Sequence, residues 1–300
     1  MLLAWWNRFW FEPRPTYVLG VFRTALGILV LSILLCSFPN WERFYGPHGL
    51  YPFAELNGIE KLNLFAISLE PWFLWGIYGI GILASITFIL GFQTRISTII
   101  LFIVYASMTH RNFFLVNGQD QIIKMLLFLS SFAPLGDCLS LDRWLKTQGK
   151  NLKERLLNPI PREPWATRLM QLSVLNVYIL SQPFKIIEDP AWRDGSAMYL
   201  VALSERWFHF SHITLFQNET LSILLTYSSL LIEMTFPILV WFNKTRPYSL
   251  IAMACLHLTG MIILSPAILF FQLSMVIALI LFIHPHTINQ WTDRMIRLGK

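Results

Sequence analysis

Charge is scarce in this chain: Asp, Glu, Lys and Arg make up 13% of its 300 residues, while 55% are hydrophobic and the mean hydropathy is +0.54. That balance excludes an ordinary soluble globular domain and points to an integral membrane protein. Cysteine is scarce too: Cys36, Cys138 and Cys255 lie in three separate segments with no paired spacing, which excludes a disulfide framework and a thiolate metal site. No polar or Gly/Ser-rich stretch is long enough to link two independent cores, so residues 1–300 read as a single transmembrane domain. A glycine-rich phosphate loop, zinc-spaced His/Glu pairs and a nucleophile elbow are all missing. The net charge of +6 is spread over the ends of apolar segments and forms no face, so nucleic acid is not a partner. Residues 1–17 carry Arg8, Glu12, Arg14 and two prolines and contain no apolar core with a small-residue cleavage site, so no cleavable signal peptide is read.

What is abundant is the long apolar run. A crossing needs about 20 apolar residues, and runs that meet or approach this cover 17–38, 72–92, 96–116, 121–136, 165–187, 221–242, 248–264 and 267–283. The expected fold is therefore an all-α polytopic helical bundle of about eight spans. The last two runs are nearly continuous, and Ser265-Pro266 is the natural break because proline disfavours helix in the residue before it. Trp5, Trp6, Phe9, Trp10 and Phe11 suit an interfacial helix within 1–16. Most basic residues fall in one alternate set of segments, including Arg8, Arg14, Arg95, Arg143 to Arg168, Lys244, Arg246 and the end of the chain. The positive-inside rule then makes both termini cytoplasmic, with a basic cytoplasmic segment at 137–164 and a cytoplasmic tail at 284–300. Membrane lipid is the evident partner. The loop at 188–220 contains an amphipathic stretch, 196–207, suited to covering the mouth of a cavity.

Ionisable residues inside the spans are few, and such residues are functional candidates by default. Lys185 ends a stretch, 169–184, that holds no other charge and leads into Trp192-Arg193-Asp194-Gly195. It reads either as a partly desolvated lysine able to act as a base, or as a side chain snorkelling to the headgroups. Arg23 and Glu233 read as a structural ion pair between helices. His257 sits mid-helix, where a packed neutral imidazole and a catalytic one are equally in keeping with its neighbours. His110-Arg111-Asn112 and Asn117-Gly118-Gln119-Asp120 form a dense polar turn that suits either a ligand head group and a developing oxyanion or simple helix capping.

Three segments together resemble the horizontally transferred transmembrane domain, the membrane part of the vitamin K-dependent gamma-carboxylase family. They are Phe11-Glu12-Pro13 with Leu19 to Arg23 and the Phe44-Tyr45-Gly46-Pro47-His48-Gly49 loop; the His110 to Asp120 turn ending in Ser140-Leu141-Asp142; and Gln171, Tyr178, Lys185 and Trp192 to Ala197, with Glu233 and His257 beyond. The resemblance implies Lys185, His257 and His110 as catalytic residues, with Lys185 the base that deprotonates reduced vitamin K or menaquinone. It further implies Asn112, Asn117, Asp120, Tyr178, Trp192 and Glu233 as ligand-binding positions. Dioxygen and carbon dioxide are the implied co-substrates and a small peptide the implied substrate. The chain ends soon after its last apolar run, whereas the carboxylases continue into a large lumenal domain. The other classes open to the chain are a non-enzymatic membrane partner for peptide maturation or export and a small-molecule or proton carrier.

Overall fold

The computed structural model describes residues 2–51, 58, 63–150, 161–210 and 218–284. Among these the chain is all-helical, with two isolated β-bridges and no strand. Its contacts divide it into two compact units, residues 1–170 with 283–300, and residues 171–282. Of the expected cytoplasmic tail, residues 285–300 lie outside the described residues, as do 151–160 of the expected basic segment.

In the first unit, helix α1 (Leu2–Phe11) exposes Leu3, Trp5 and Trp6. Helix α2 (Tyr17–Ser37) buries a stripe of Val18, Leu19, Phe22, Leu26, Val30 and Leu34, the spacing of one helical face. It continues through a 3-10 turn into α3 (Trp41–Tyr45) and packs on α4 (Pro71–Leu90), which packs in turn on α5 (Thr94–Arg111). Pro71 opens α4, where its missing N–H costs nothing, and Gly91 closes it in the left-handed region at φ 67°. A Cβ on Gly91 would lie 2.4 Å from a guanidinium nitrogen of Arg23, so glycine is required there for space as well. Helix α6 (Gly118–Ser130) and the short α7 (Leu141–Lys146) follow.

Helix α8 (Trp165–Pro183) runs from the first unit into the second. Pro183 ends its regular hydrogen bonding, and the chain widens into a π-helical turn, Phe184–Glu188. Two short helices, α9 (Pro190–Asp194) and α10 (Ala197–Leu203), occupy the loop in which the amphipathic stretch was expected. Helices α11 (Glu219–Leu239), α12 (Arg246–Ile263) and α13 (Leu269–Leu279) pack in succession. The break at Ser265-Pro266 is present: α12 stops at Ile263, and Ser265 caps the 3-10 turn that leads into α13.

Among the described residues, four helices are long and apolar enough to cross a membrane, beginning at Tyr17, Pro71, Glu219 and Arg246. The other expected spans fall short for identifiable reasons. Helix α5 dilutes its apolar residues with Arg95, His110, Arg111 and several hydroxyls, and α6 has 13 residues. Helix α8 carries Arg168, Gln171, Asn176 and Gln182.

Candidate functional site

Arg23, in the first unit, is held by backbone carbonyls where an ion pair with Glu233 was expected from sequence. Fully buried, its guanidinium donates to the carbonyls of Leu135 (2.9 Å), Cys138 (3.4 Å), Leu139 (2.5 Å) and Ile89 (3.3 Å). Arginine presents five donors in a rigid fork, which suits this set of carbonyls as no carboxylate partner would. Asp142 completes the same tie by accepting from Gln93 N, Thr94 N and Thr94 Oγ1 at the start of α5. Burial beside these carbonyls pushes the Cys138 thiol up to about 12. Arg162, outside the spans, is raised by its hydrogen bond to Asp137 at 2.6 Å.

The polar turn after α5 resolves into comparable ties. Arg111, fully buried, donates to the carbonyls of Tyr45 (3.0 Å), Tyr51 (2.7 Å) and Gly46, and Asn112 donates to that of Phe44 (2.9 Å). Asn117 and Asp120 form a capping box at the start of α6, and Asp120 Oδ1 accepts from the Tyr105 hydroxyl at 2.6 Å. His110 sits half-buried in the last turn of α5. The residues that resemble an oxyanion-binding turn thus hold the loop 44–51 and cap a helix.

The second unit brings the remaining candidates together. On α8, Gln171, Tyr178 and Gln182 fall at intervals of seven and four residues, which puts them on one helical face, and Lys185 follows in the π-helical turn. That face meets Glu233 of α11. Glu233 Oε2 accepts from Lys185 Nζ at 2.5 Å and from Gln182 Nε2 at 2.6 Å. The pair is largely shielded, with side chains 22% and 12% exposed. Trp192, on α9, lies with its ring centroid 4.4 Å from Lys185 Nζ, within the range of a cation–π contact. Helix α9 is held to α11 by the Tyr227 hydroxyl, which donates to Arg193 O at 2.7 Å.

Behind this cluster lies a neutral chain of hydrogen bonds. His257, 3% exposed, contacts Gln272 Oε1 through Nδ1 at 2.6 Å and the Tyr178 hydroxyl through Nε2 at 2.9 Å. An amide oxygen only accepts, so Nδ1 carries the proton and Nε2 accepts from Tyr178. Glu233 interacts electrostatically with both Tyr178 and His257, so the two groups form one polar field. A Cβ on Gly260 would lie 2.8 Å from Gln272 Nε2, so a larger residue there would displace the amide that orients the imidazole.

Of the nine site residues expected from sequence, Lys185, Trp192, Glu233, Tyr178 and His257 gather in the second unit, whereas His110, Asn112, Asn117 and Asp120 belong to the first. Gln182 and Gln272 were missed. The signals were present: Gln182 lies three residues before Lys185, and Gln272 is the one amide in the apolar run 267–283. Gln182 Oε1 is buried and accepts no hydrogen bond among the described residues. No described group of three or more His, Cys, Asp and Glu could hold a metal ion.

Comparison with curated proteins and with solved structures gave no match. The family model described as the HTTM domain matches residues 11–287. It spans most of the chain, so the chain belongs to the HTTM domain family, that of the membrane part of vitamin K-dependent gamma-carboxylase, and is an integral membrane protein.

Proposed function

We propose that this protein is a membrane enzyme of the carboxylase-like type, with Lys185 as the base at a site for a reduced quinol such as menaquinol or vitamin K hydroquinone. The observation that carries this reading is the shielded Lys185–Glu233 pair under Trp192, backed by the Tyr178–His257–Gln272 chain. Structural ion pairs also occur in membrane helices, but they do not call for an aromatic ring over the cation or for a second, neutral relay alongside. The donor set fits such a ligand: a few polar groups converge beside Phe184 and Ile187, which are exposed and apolar.

The roles of the chain's own residues follow from the contacts. An amine is a base only when neutral, and Glu233 Oε2 is the acceptor in place to take the proton from Nζ. Gln182 Nε2 steadies that same oxygen and fixes where the proton can go. Trp192 sets its ring against Nζ and shields part of it. His257, held with Nε2 toward Tyr178, keeps the phenol oriented beside Glu233. When bound, a reduced quinol supplies, with dioxygen, the strong base that γ-carboxylation of a glutamate requires, and carbon dioxide is the second co-substrate. A small peptide is the proposed substrate. The finer membrane arrangement belongs to the same proposal: eight crossings, both termini cytoplasmic, in a bacterial inner membrane.

Purified protein given reduced menaquinone or vitamin K, labelled bicarbonate and a short glutamate-containing peptide tests this. Wild type should form epoxide and incorporate label, and Lys185→Ala should lose roughly a hundredfold or more in both, the scale of general-base catalysis. Equal turnover by the variant removes Lys185 from the reaction.

A further inference from the structure

Gln182 is 7% exposed, so its side chain is more than nine-tenths buried, and its amide is divided in function. Nε2 is committed to Glu233 Oε2 at 2.6 Å, while Oε1 accepts nothing among the described residues. Turning the amide over does not help, because it would set Oε1 against the carboxylate oxygen, acceptor facing acceptor. A buried acceptor left without a donor is costly, and natural structures keep few of them. This one adjoins the only ion pair of the second unit among the described residues, and its amide shares Glu233 Oε2 with Lys185 Nζ. Leu180, Phe184 and Ile187, near it in the chain, are apolar and exposed, which suits a ligand soluble in the hydrocarbon phase.

We infer that Gln182 Oε1 accepts a hydrogen bond from a hydroxyl of the ligand, and so selects the reduced, hydroxyl-bearing form of a lipid-soluble ring over its oxidised, carbonyl form. The inference rests on the quinol reading proposed above and adds to it the residue that tells the two redox states apart. A quinol hydroxyl donates to Oε1. A quinone carbonyl has no proton to offer, and its oxygen would meet Oε1 as a second acceptor. Discrimination by a buried polar group comes mainly from leaving that group unpaired with the wrong ligand. Gln182 is a specificity residue; the proton transfer stays with Lys185 and Glu233.

Equilibrium binding in detergent tests this with three probes: a short-chain 1,4-naphthoquinol kept anaerobic, its quinone and its dimethyl ether. Wild type should bind the quinol roughly tenfold more tightly than either of the others, the scale of one buried hydrogen bond. Gln182→Met should bind all three within about twofold of one another, since the acceptor is gone and the volume is kept. The ether comparison in wild type keeps the hydroxyl contact open to refutation even if the variant fails to fold, because there only the ligand is altered. Equal binding of quinol, quinone and ether by wild type overturns the role of Gln182 and leaves the quinol reading standing. A preference that survives in folded Gln182→Met also overturns it. Binding of none of the three overturns both.

Discussion

At the scale of single residues, Glu233 is the hinge of the second unit, because one carboxylate oxygen serves both Lys185 and Gln182. Removing it leaves a shielded ammonium and an amide donor unpaired, so Glu233→Ala should cost about 2–4 kcal/mol. Lys185→Met in that background should recover part of the loss, which a double-mutant cycle by thermal unfolding in detergent would measure; additive losses would show that the pair contributes no coupling. Arg23→Met should cost about 3 kcal/mol or more, since several buried carbonyls lose their donor together, and Arg23→Lys should not restore it. Cys138 carries a pH signature. Its thiol is raised from 9.0 to about 12 by burial, so the fold holds it protonated. Any stability that depends on this group is therefore present below the ordinary thiol value and falls as pH rises through about 12. At pH 8 a maleimide should leave Cys138 unmodified until the protein is unfolded, because thiolate is the reactive form. The charged residues inside the apolar runs were legible in the sequence as unusual, but their partners were not. Arg23 binds carbonyls more than a hundred positions away, and neutral backbone atoms leave no charge pattern to match.

At the scale of elements, the turn after Pro183 sets the site. An α-helix continued through this point would carry Lys185 about 100° per residue around the axis, whereas the π-helical turn Phe184–Glu188 advances less per residue and alters which face it meets. Pro183→Ala should leave overall stability unchanged or slightly raised while the Lys185–Glu233 coupling energy in the same cycle falls toward zero. Retained coupling would mean that the turn persists without proline. The break at Ser265-Pro266 could be read from the chain because proline acts locally, and so could the helices at α2, α4, α11 and α12, whose apolar residues are numerous enough to speak for themselves. The polar turn at 110–120 was legible as a feature only. Whether its side chains face a ligand or a backbone depends on where the loop 44–51 lies, and the structure gives Arg111 and Asn112 to that loop.

At the scale of the whole molecule, the eight-crossing proposal makes a prediction of its own. Single cysteines at Ser68 and Asn218 should be labelled by an impermeant maleimide from the outer face of intact cells, and those at Gln148 and Thr245 only after permeabilisation. Labelling of all four from one face would overturn the topology. Composition alone determined that this chain is helical and belongs in a membrane, because 55% hydrophobic residues in long unbroken runs have few other stable solutions. It also marked out Lys185, Glu233, His257 and Arg23, since a charge or imidazole in such a run stands out against its neighbours. Only the tertiary structure decided which of them meet. Pairing Glu233 with Lys185, giving Arg23 to carbonyls and enlisting Gln182 and Gln272 all depend on helices brought side by side from distant parts of the chain, and hydrogen bonds of 2.5–3.4 Å are set by that packing.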